Sequence, residues 1–238
     1  MVDLPKNIQK ALNNIYVTTS PTSIFLYGSR ARADFIEGSD YEVGVLYKEN
    51  KKVSRSDLEK MNGVDNLRIY PFDHDQFING DIDTPFPNNT YMRSLVTKAI
   101  TLYGNTVVET LTPPKIRMID LFEEATFQIS RAYTAMLSDR EGDIVSAKAG
   151  FVKSVLYGTS VLIALKLQKF VVSYDEIVRL SRSLNLSDEY VRLIEHSFDV
   201  RNGAELEKQM LYKNMSYISK EVIAPIKTEL GLGNKVII

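Results

Sequence analysis

Two kinds of hydrophobic pattern follow one another along the chain. From Ser23 to about Val108, short runs rich in β-branched and aromatic residues alternate with turn residues and helical stretches. After Thr112-Pro113-Pro114, long segments carry apolar residues at helical spacing. Paired prolines cannot continue a helix. The change therefore predicts an N-terminal domain with a sheet, over residues 1–112, and a C-terminal helical bundle, over residues 113–238.

The same pattern predicts individual elements. Strands are expected at Ser23–Tyr27, Tyr41–Tyr47 and Leu67–Phe72, the third ending near its proline. Apolar residues at helical spacing predict a helix before them, over Leu4–Tyr16. Five amphipathic helices are predicted after the prolines: Arg117–Leu137, Asp143–Lys169, Tyr174–Leu184, Asp188–Val200 and Glu205–Leu230. The predicted fold class is α+β, with a mixed sheet and flanking helices followed by an all-α bundle.

The composition is that of a soluble folded protein. Of the 238 residues, 44% are hydrophobic and 25% are charged, and these values argue against intrinsic disorder. Lysine and arginine total 29 against 30 acidic residues, so the net charge of −1 gives no overall reason to expect nucleic acid or an anionic membrane as a partner. The absence of cysteine excludes disulfides, cysteine nucleophiles and zinc sites built on thiolates.

Neither a secretion signal nor a membrane span is predicted. The N-terminal residues MVDLPK lack a basic region followed by an apolar one. The most apolar stretch, Phe151–Val172, is interrupted by Lys153, Lys166 and Lys169, so we interpret it as the central helix of a soluble bundle. We therefore expect a cytoplasmic protein.

The most informative stretch contains a Gly-Ser turn followed by two acidic residues. A strand leads into Gly28-Ser29, a basic turn follows, and a second strand is expected to begin with Asp40. The strand period of two places Asp40 and Glu42 on one face. Neighbouring carboxylates repel each other, and Mg²⁺, which prefers oxygen ligands and often shares them with phosphate, relieves that repulsion. The pair therefore predicts a metal site.

The residues around the turn suit a ligand that carries phosphate. Gly28 lets the backbone come close to a ligand, and exposed amides at the start of a following helix favour phosphate. Arg30 and Arg32 supply two further positive charges. Together with a metal, these groups predict phosphate-ester chemistry such as nucleotidyl transfer. The alternative is a plain turn with solvated arginines and an exposed strand face, but Val43–Leu46 has the apolar pattern of a buried strand.

One known family has this arrangement. Gly28-Ser29, followed after a spacer by Asp40-Tyr41-Glu42, resembles the signature of the DNA polymerase β-like nucleotidyltransferase superfamily, in which a Gly-Ser turn precedes two metal-binding carboxylates. The sequence is most similar to the kanamycin nucleotidyltransferases, which also have Asp and then Glu at these places. Leu67–Asp73 looks like the next strand of that family. Asp120–Glu123 and the helices through Val200 look like its C-terminal helical domain.

The resemblance implies a nucleotidyltransferase fold and an enzyme that binds a nucleoside triphosphate such as ATP with Mg²⁺. Such an enzyme passes the nucleoside monophosphate to a hydroxyl of a small acceptor, as of an aminoglycoside, and releases pyrophosphate. Carried over by position, Asp40 and Glu42 ligate the metal, and Ser29 with its backbone contacts the phosphates. Glu123 is then the general base, although an ordinary surface position on an amphipathic helix is the alternative for this residue. The related enzymes are homodimers, so a homodimer is implied too.

The sequence departs from the family pattern on the next strand. Many members carry a third acidic residue where this chain has Arg68, and Asp65 or Asp73 would substitute only in a different strand register. Ala33 stands where relatives often have glycine. Two alternatives therefore stay open. One, motivated by Arg68, is a catalytically impaired nucleotide-binding or interaction protein of the same fold. The other is an antitoxin-like nucleotidyltransferase that modifies a hydroxyl of another protein.

Overall fold

The computed structural model of the chain describes residues 4–48 and 53–238. The chain divides into two compact units, Met1–Pro114 and Lys115–Ile238. The first unit holds a mixed sheet with helices around it, and the second is helical. The predicted α+β fold class is therefore confirmed.

The first unit is built on a four-stranded sheet in the order β3-β2-β1-β4. Its strands are β1 (Ser23–Tyr27), β2 (Tyr41–Tyr47), β3 (Leu67–Asp73) and β4 (Ile100–Gly104). β1 pairs antiparallel with β2 and with β4, while β2 pairs parallel with β3. The first two strands have the bounds predicted from the hydrophobic pattern, and Asp40, which was expected to begin the second strand, directly precedes it. The sequence pattern did not predict β4, because its residues are mostly half-buried and show little hydrophobic alternation.

The third strand passes through a proline. Pro71 pairs with Val45 of β2, and the strand runs one residue beyond its predicted end, to Asp73. Proline lacks the amide hydrogen that a central strand uses in its ladder. β3 lies at an edge of the described sheet, where proline is tolerated.

Helices pack on both faces of this sheet. They are α1 (Lys6–Thr19), α2 (Gly28–Arg32), α3 (Arg55–Asn62), α4 (His74–Asn79) and α5 (Asn88–Val96). On one face, Ile24 and Leu26 of β1 join a buried core with α1 and α3. On the other face, Phe25 and Tyr27 join a core with α4 and α5. One buried strand thus contributes alternate side chains to two cores.

The second unit is a helical bundle. Its helices are α6 (Met118–Arg140), α7 (Ile144–Leu167), α8 (Tyr174–Ser181), α9 (Asp188–Arg201), α10 (Lys208–Tyr217) and α11 (Ala224–Leu230). The first four begin at or next to their predicted residues. The predicted helix Glu205–Leu230 begins three residues later than expected, at Lys208, and runs without a break to Leu230, with a π-helical turn over Ile218–Ile223 between α10 and α11. Pro225 follows this turn, and a proline in a helix removes one backbone hydrogen bond and crowds the preceding turn.

Helix α7 forms the centre of this bundle. Among the described residues it is the one helix long and apolar enough, by length and composition, to cross a bilayer, with a mean hydropathy of 1.4 in its most apolar window. However, 61% of that window is buried inside the protein. It packs chiefly against α6 and α9. Burial among helices of its own unit therefore explains its apolar sequence.

The two ends of the second unit are hydrogen-bonded to each other. The amide of Ile116 donates to the carbonyl of Ile238 at 2.9 Å, and the amide of Met118 donates to the carbonyl of Lys235 at the same distance. Arg117 and Val236 form an isolated antiparallel bridge between these hydrogen bonds. The segment that leads into α6 is thus fixed by the residues that follow α11.

Candidate active site

The two predicted metal ligands lie at the start of β2. The strand begins at Tyr41, so Asp40 directly precedes it and Glu42 is its second residue. Glu42 lies opposite Tyr27 of β1 and opposite Arg68 of β3. Register partners on adjacent strands point to the same side of a sheet. Glu42 and Arg68 therefore share the face on which Tyr27 joins the core with α4 and α5.

The carboxylate of Glu42 lies against the backbone of Gly28. Gly28 follows β1 directly and has a φ of +73°, a conformation that L side chains rarely adopt. A Cβ atom at this position would overlap Oε2 of Glu42. The positive φ therefore favours glycine at this position, and the missing side chain leaves room for the carboxylate of Glu42.

Ser29 lies in the first turn of α2, beside this contact. Its side chain is half-buried, and its carbonyl accepts the amides of Ala33 and Asp34 at the end of the short helix. Ala33 has a φ of +63°, the left-handed conformation that favours glycine. The turn after α2 is thus closed by backbone hydrogen bonds, with alanine in a strained position.

Arg30 holds the loop that leads to Asp40. Its Nε and Nη2 donate to the carbonyl of Ser39, at 3.2 and 2.9 Å. Its guanidinium carbon lies 3.9 Å from the ring centre of Phe35 and 4.4 Å from that of Tyr41. The guanidinium is therefore stacked between two rings while it fixes the residue before Asp40.

Arg32 has a buried acidic partner. Its Nε donates to Oδ2 of Asp34 at 3.3 Å, and the two side chains are only 7% and 8% exposed. Removing one partner from a buried ion pair leaves a poorly solvated charge. The two arginines predicted to bind the nucleotide thus have partners within the turn and the loop around it.

Arg68 forms an ion pair with the first predicted metal ligand. Its Nε lies 3.3 Å from Oδ2 of Asp40, and both side chains are almost half exposed, at 48% and 41%. The cation that replaces the expected third acidic residue therefore contacts a carboxylate of the pair directly. The sequence indicated the position of this arginine but not its contact with Asp40.

Two other acidic residues were considered as replacements for the third carboxylate. Asp73 caps α4, where its Oδ1 accepts the amides of Asp75 and Gln76, each at 2.9 Å. Asp65 is exposed in the turn before β3. Within residues 4–48 and 53–238, no group of three or more His, Asp or Glu side chains is placed to hold a metal ion.

The site contains a tyrosine that the sequence reasoning missed. Burial raises the pKa of Tyr27 well above its ordinary value of 10, and interactions with Tyr91 and with the nearby charge of Glu42 raise the pKa further. Tyr27 also forms a side-chain hydrogen bond with Tyr91. Its hydroxyl therefore stays protonated near a carboxylate. The available signal was its place at the last position of β1, opposite the second acidic residue.

The predicted general base belongs to the second unit. Glu123 is exposed on α6, about one turn after the buried Asp120. Asp120 accepts the amide of Arg117 at 2.6 Å and so caps the start of the helix with its side chain. A hydrogen bond to Asp120 and its negative charge raise the pKa of Arg117. Glu124 accepts a hydrogen bond from Gln128. Asp120 thus has a structural explanation, whereas Glu123 is presented to solvent.

The donor set suits one divalent ion. Mg²⁺ is commonly held by one or two carboxylates, with waters and substrate phosphates as its other ligands. Asp40 and Glu42 supply such carboxylates next to the Gly28 turn. Arg68 places positive charge where a third carboxylate would serve a second ion. The residues present therefore fit a single magnesium ion better than a pair.

Comparison with known proteins shows similarity in structure. No protein-family model matches the chain, and no curated protein matches it in sequence. The structure is similar to the crystal structure of the spectinomycin adenyltransferase AAD(9) from Enterococcus faecialis with ATP and spectinomycin. The TM-score is 0.57 at 12% sequence identity, over 90% of this chain and 99% of that chain. At this identity the similarity establishes the fold, which is an α+β nucleotidyltransferase fold.

Proposed function

We propose that the protein is a Mg²⁺-dependent nucleotidyltransferase. It transfers a nucleoside monophosphate from a nucleoside triphosphate to a hydroxyl of a small, aminoglycoside-like acceptor and releases pyrophosphate. The observation that carries the proposal is the contact between Glu42 and the Gly28 turn, with Asp40 at the start of the same strand. The fold supports it, because the similar adenyltransferase was solved with ATP and spectinomycin.

In this proposal the carboxylate pair binds the metal and the turn binds phosphate. Asp40 and Glu42 hold one Mg²⁺, which when bound polarises a phosphoryl oxygen and offsets the charge of the triphosphate. Gly28 and Ser29 bring backbone and a hydroxyl close to the phosphates. Arg30 fixes Ser39, and through it the position of Asp40. Arg30 and Arg32 also add positive charge around the phosphates.

Glu123 is proposed as the general base. A general base must reach the acceptor hydroxyl and accept its proton as the new phosphate ester forms. Glu123 is exposed, so an acceptor has access to its carboxylate. The hydroxyl proton passes to Glu123, the hydroxyl oxygen bonds to the α-phosphorus, and the bond to the leaving pyrophosphate breaks.

The proposal also includes ATP as the donor, a homodimer, a cytoplasmic location and a particular likeness to the kanamycin nucleotidyltransferases.

A transfer assay tests the proposed function. The protein is incubated with Mg²⁺, α-labelled ATP or GTP, and a panel of aminoglycosides and spectinomycin. We expect label on at least one acceptor, and we expect Asp40→Asn to lower the rate at least about a hundredfold, as for lost electrostatic stabilisation. Asp75→Asn is the matched control, because Asp75 is exposed in the same unit and follows β3 at the end opposite Arg68. No transfer to any acceptor, or equal rates for the wild type and Asp40→Asn, would contradict the proposal.

A second candidate function follows from the ion pair of Arg68 with Asp40. A protein in which this pair persists binds nucleotide without performing transfer. Calorimetry with ATP, in Mg²⁺ and then in EDTA, separates the two candidates. The enzyme loses most of its ATP affinity in EDTA, whereas the non-catalytic protein keeps it and transfers no label.

A further inference from the structure

Arg68 adds a fixed positive charge to the proposed metal site. The register of β2 and β3 places Arg68 beside Glu42 on the same face of the sheet. Its Nε also lies 3.3 Å from Oδ2 of Asp40. The arginine whose guanidinium contacts one carboxylate of the pair is therefore the register partner of the residue that carries the other.

The ion pair has little value for stability. Exposed ion pairs contribute about 0 to 1 kcal/mol, because water screens the charges and two long side chains must be ordered. Asp40 and Arg68 are both almost half exposed. By contrast, Arg55, another arginine near this strand, stacks on Tyr70 and pairs with Glu59. The position of Arg68 is therefore better explained by the charge of the site than by the fold.

We propose that Arg68 acts as a built-in counter-cation of the carboxylate pair. It limits the site to one divalent ion and weakens the binding of that ion until a triphosphate supplies further oxygen ligands. This inference rests on the proposed function of the same pair. The residue that differs from the family pattern is then a determinant of metal stoichiometry, not a lost ligand.

Electrostatics gives the size of the expected effect. A single and a double positive charge roughly 6 Å apart in water repel each other enough to change an affinity about tenfold. Loss of the pair with Asp40 also frees one carboxylate for the metal. We therefore expect Arg68→Gln to bind Mn²⁺ about tenfold more tightly than the wild type. Arg68→Lys, which keeps the charge, is expected to remain within about threefold of the wild type.

The experiment is a titration with Mn²⁺ alone, followed by electron paramagnetic resonance of the free ion. The variants are Arg68→Gln, Arg68→Lys, Arg68→Asp and the double variant Arg68→Gln with Asp40→Asn. We expect no more than one ion per chain for the wild type, tighter binding for Arg68→Gln, and a second ion for Arg68→Asp. The double variant should lose the gain in Mn²⁺ affinity, because the carboxylate of Asp40 is missing. Arg179→Gln is the matched control, since Arg179 forms an exposed pair with Glu176 in the second unit.

Each outcome decides the inference. Two ions on the wild type, an unchanged affinity in Arg68→Gln, a gain that survives in the double variant, or no binding by any variant would overturn it. Circular dichroism of every variant shows that the fold is retained. The readout needs neither nucleotide nor acceptor, so tighter Mn²⁺ binding without any transfer activity would refute the proposed enzyme and leave the role of Arg68 standing.

Discussion

The arginines on the two sides of Asp40 differ in their surroundings. Arg30 and Arg32 precede it in α2, where one is stacked between two rings and the other forms a buried ion pair. Arg68 approaches from β3, is almost half exposed and contacts Asp40 itself. From the sequence, the first two are predicted to bind nucleotide, and the third is interpreted as a departure from the family pattern. Burial and contacts indicate that the first two also hold the loop, whereas the third acts on the charge of the site.

This difference leads to an ordered set of tests. A residue that holds the loop should affect stability strongly when it is replaced, because its partners are left unsatisfied. A residue that adjusts the charge of an exposed site should affect stability little and ion binding much more. Unfolding in urea measures the first property for every variant below.

The largest effect is expected for Arg32→Ala. The substitution removes the cation that contacts the buried carboxylate of Asp34, and the expected loss is about 3 kcal/mol in the free energy of unfolding. Arg179→Ala, which breaks an exposed pair, should cost less than about 1 kcal/mol. An Arg32→Ala protein that unfolds like the wild type but no longer binds ATP would show that Arg32 serves the nucleotide instead.

Gly28→Ala should have the next largest effect and lower the free energy of unfolding by about 2–3 kcal/mol. The new Cβ meets the Glu42 carboxylate, and alanine is also disfavoured at a φ of +73°. Gly80→Ala is a matched control, because Gly80 has the same φ and nothing within 4 Å of an added Cβ. It should cost only about 1 kcal/mol. If urea unfolding shows the same loss of stability for both variants, the contact with Glu42 contributes nothing to the cost of Gly28→Ala.

Arg30→Lys should cost about 1–2 kcal/mol in the same measurement. Lysine keeps the charge but loses the paired hydrogen bonds to Ser39 and the flat group that stacks between Phe35 and Tyr41. A loss of stability despite the conserved charge would identify geometry as the role of Arg30. Unchanged stability together with unchanged Mn²⁺ binding would show that the stack does not position Asp40.

Ala33→Gly should raise the free energy of unfolding, by about 0.5–1 kcal/mol. Glycine adopts the left-handed conformation of this position without strain. Ala31→Gly, two residues earlier and inside α2, should lower it by a similar amount, since glycine is unfavourable within a helix. Opposite signs in urea unfolding of the two variants would place the strain at Ala33, whereas a loss in both would contradict it.

The smallest change in stability is expected for Arg68→Gln, within about 0.5 kcal/mol of the wild type. Chemical unfolding of the metal-free protein measures it. A loss as large as that of Arg32→Ala would erase the distinction between the two kinds of arginine, because Arg68 would then hold the fold as well.

The sequence predicted the elements whose hydrophobic pattern is strong. β1 is fully buried and β2 mostly so, and both have the predicted bounds. Helix α7 is apolar on most of its surface because it lies at the centre of its unit. Short elements escaped prediction. Helix α4 depends on the side chain of Asp73 as its cap, and β4 is mostly half-buried.

The candidate site was predicted as a set of residues but not as a set of contacts. The two acidic residues followed from the strand period and the family signature. The partner of Arg30 is a backbone carbonyl, which no residue pattern reveals. The contact of Glu42 with Gly28 depends on the register of β1 and β2, and a long loop with its own helix separates these strands. The ion pair of Arg68 depends in the same way on the pairing of β2 with β3.

The paired ends of the second unit have a practical consequence for measuring this protein. Ile238 is hydrogen-bonded to Ile116, and Glu123 follows Met118 on α6 by about 8 Å of helix rise. A purification tag fused after Ile238 would therefore emerge at the beginning of α6, the helix that carries the proposed base. Assays of transfer should use a tag at the other terminus, or one that is cleaved before the measurement.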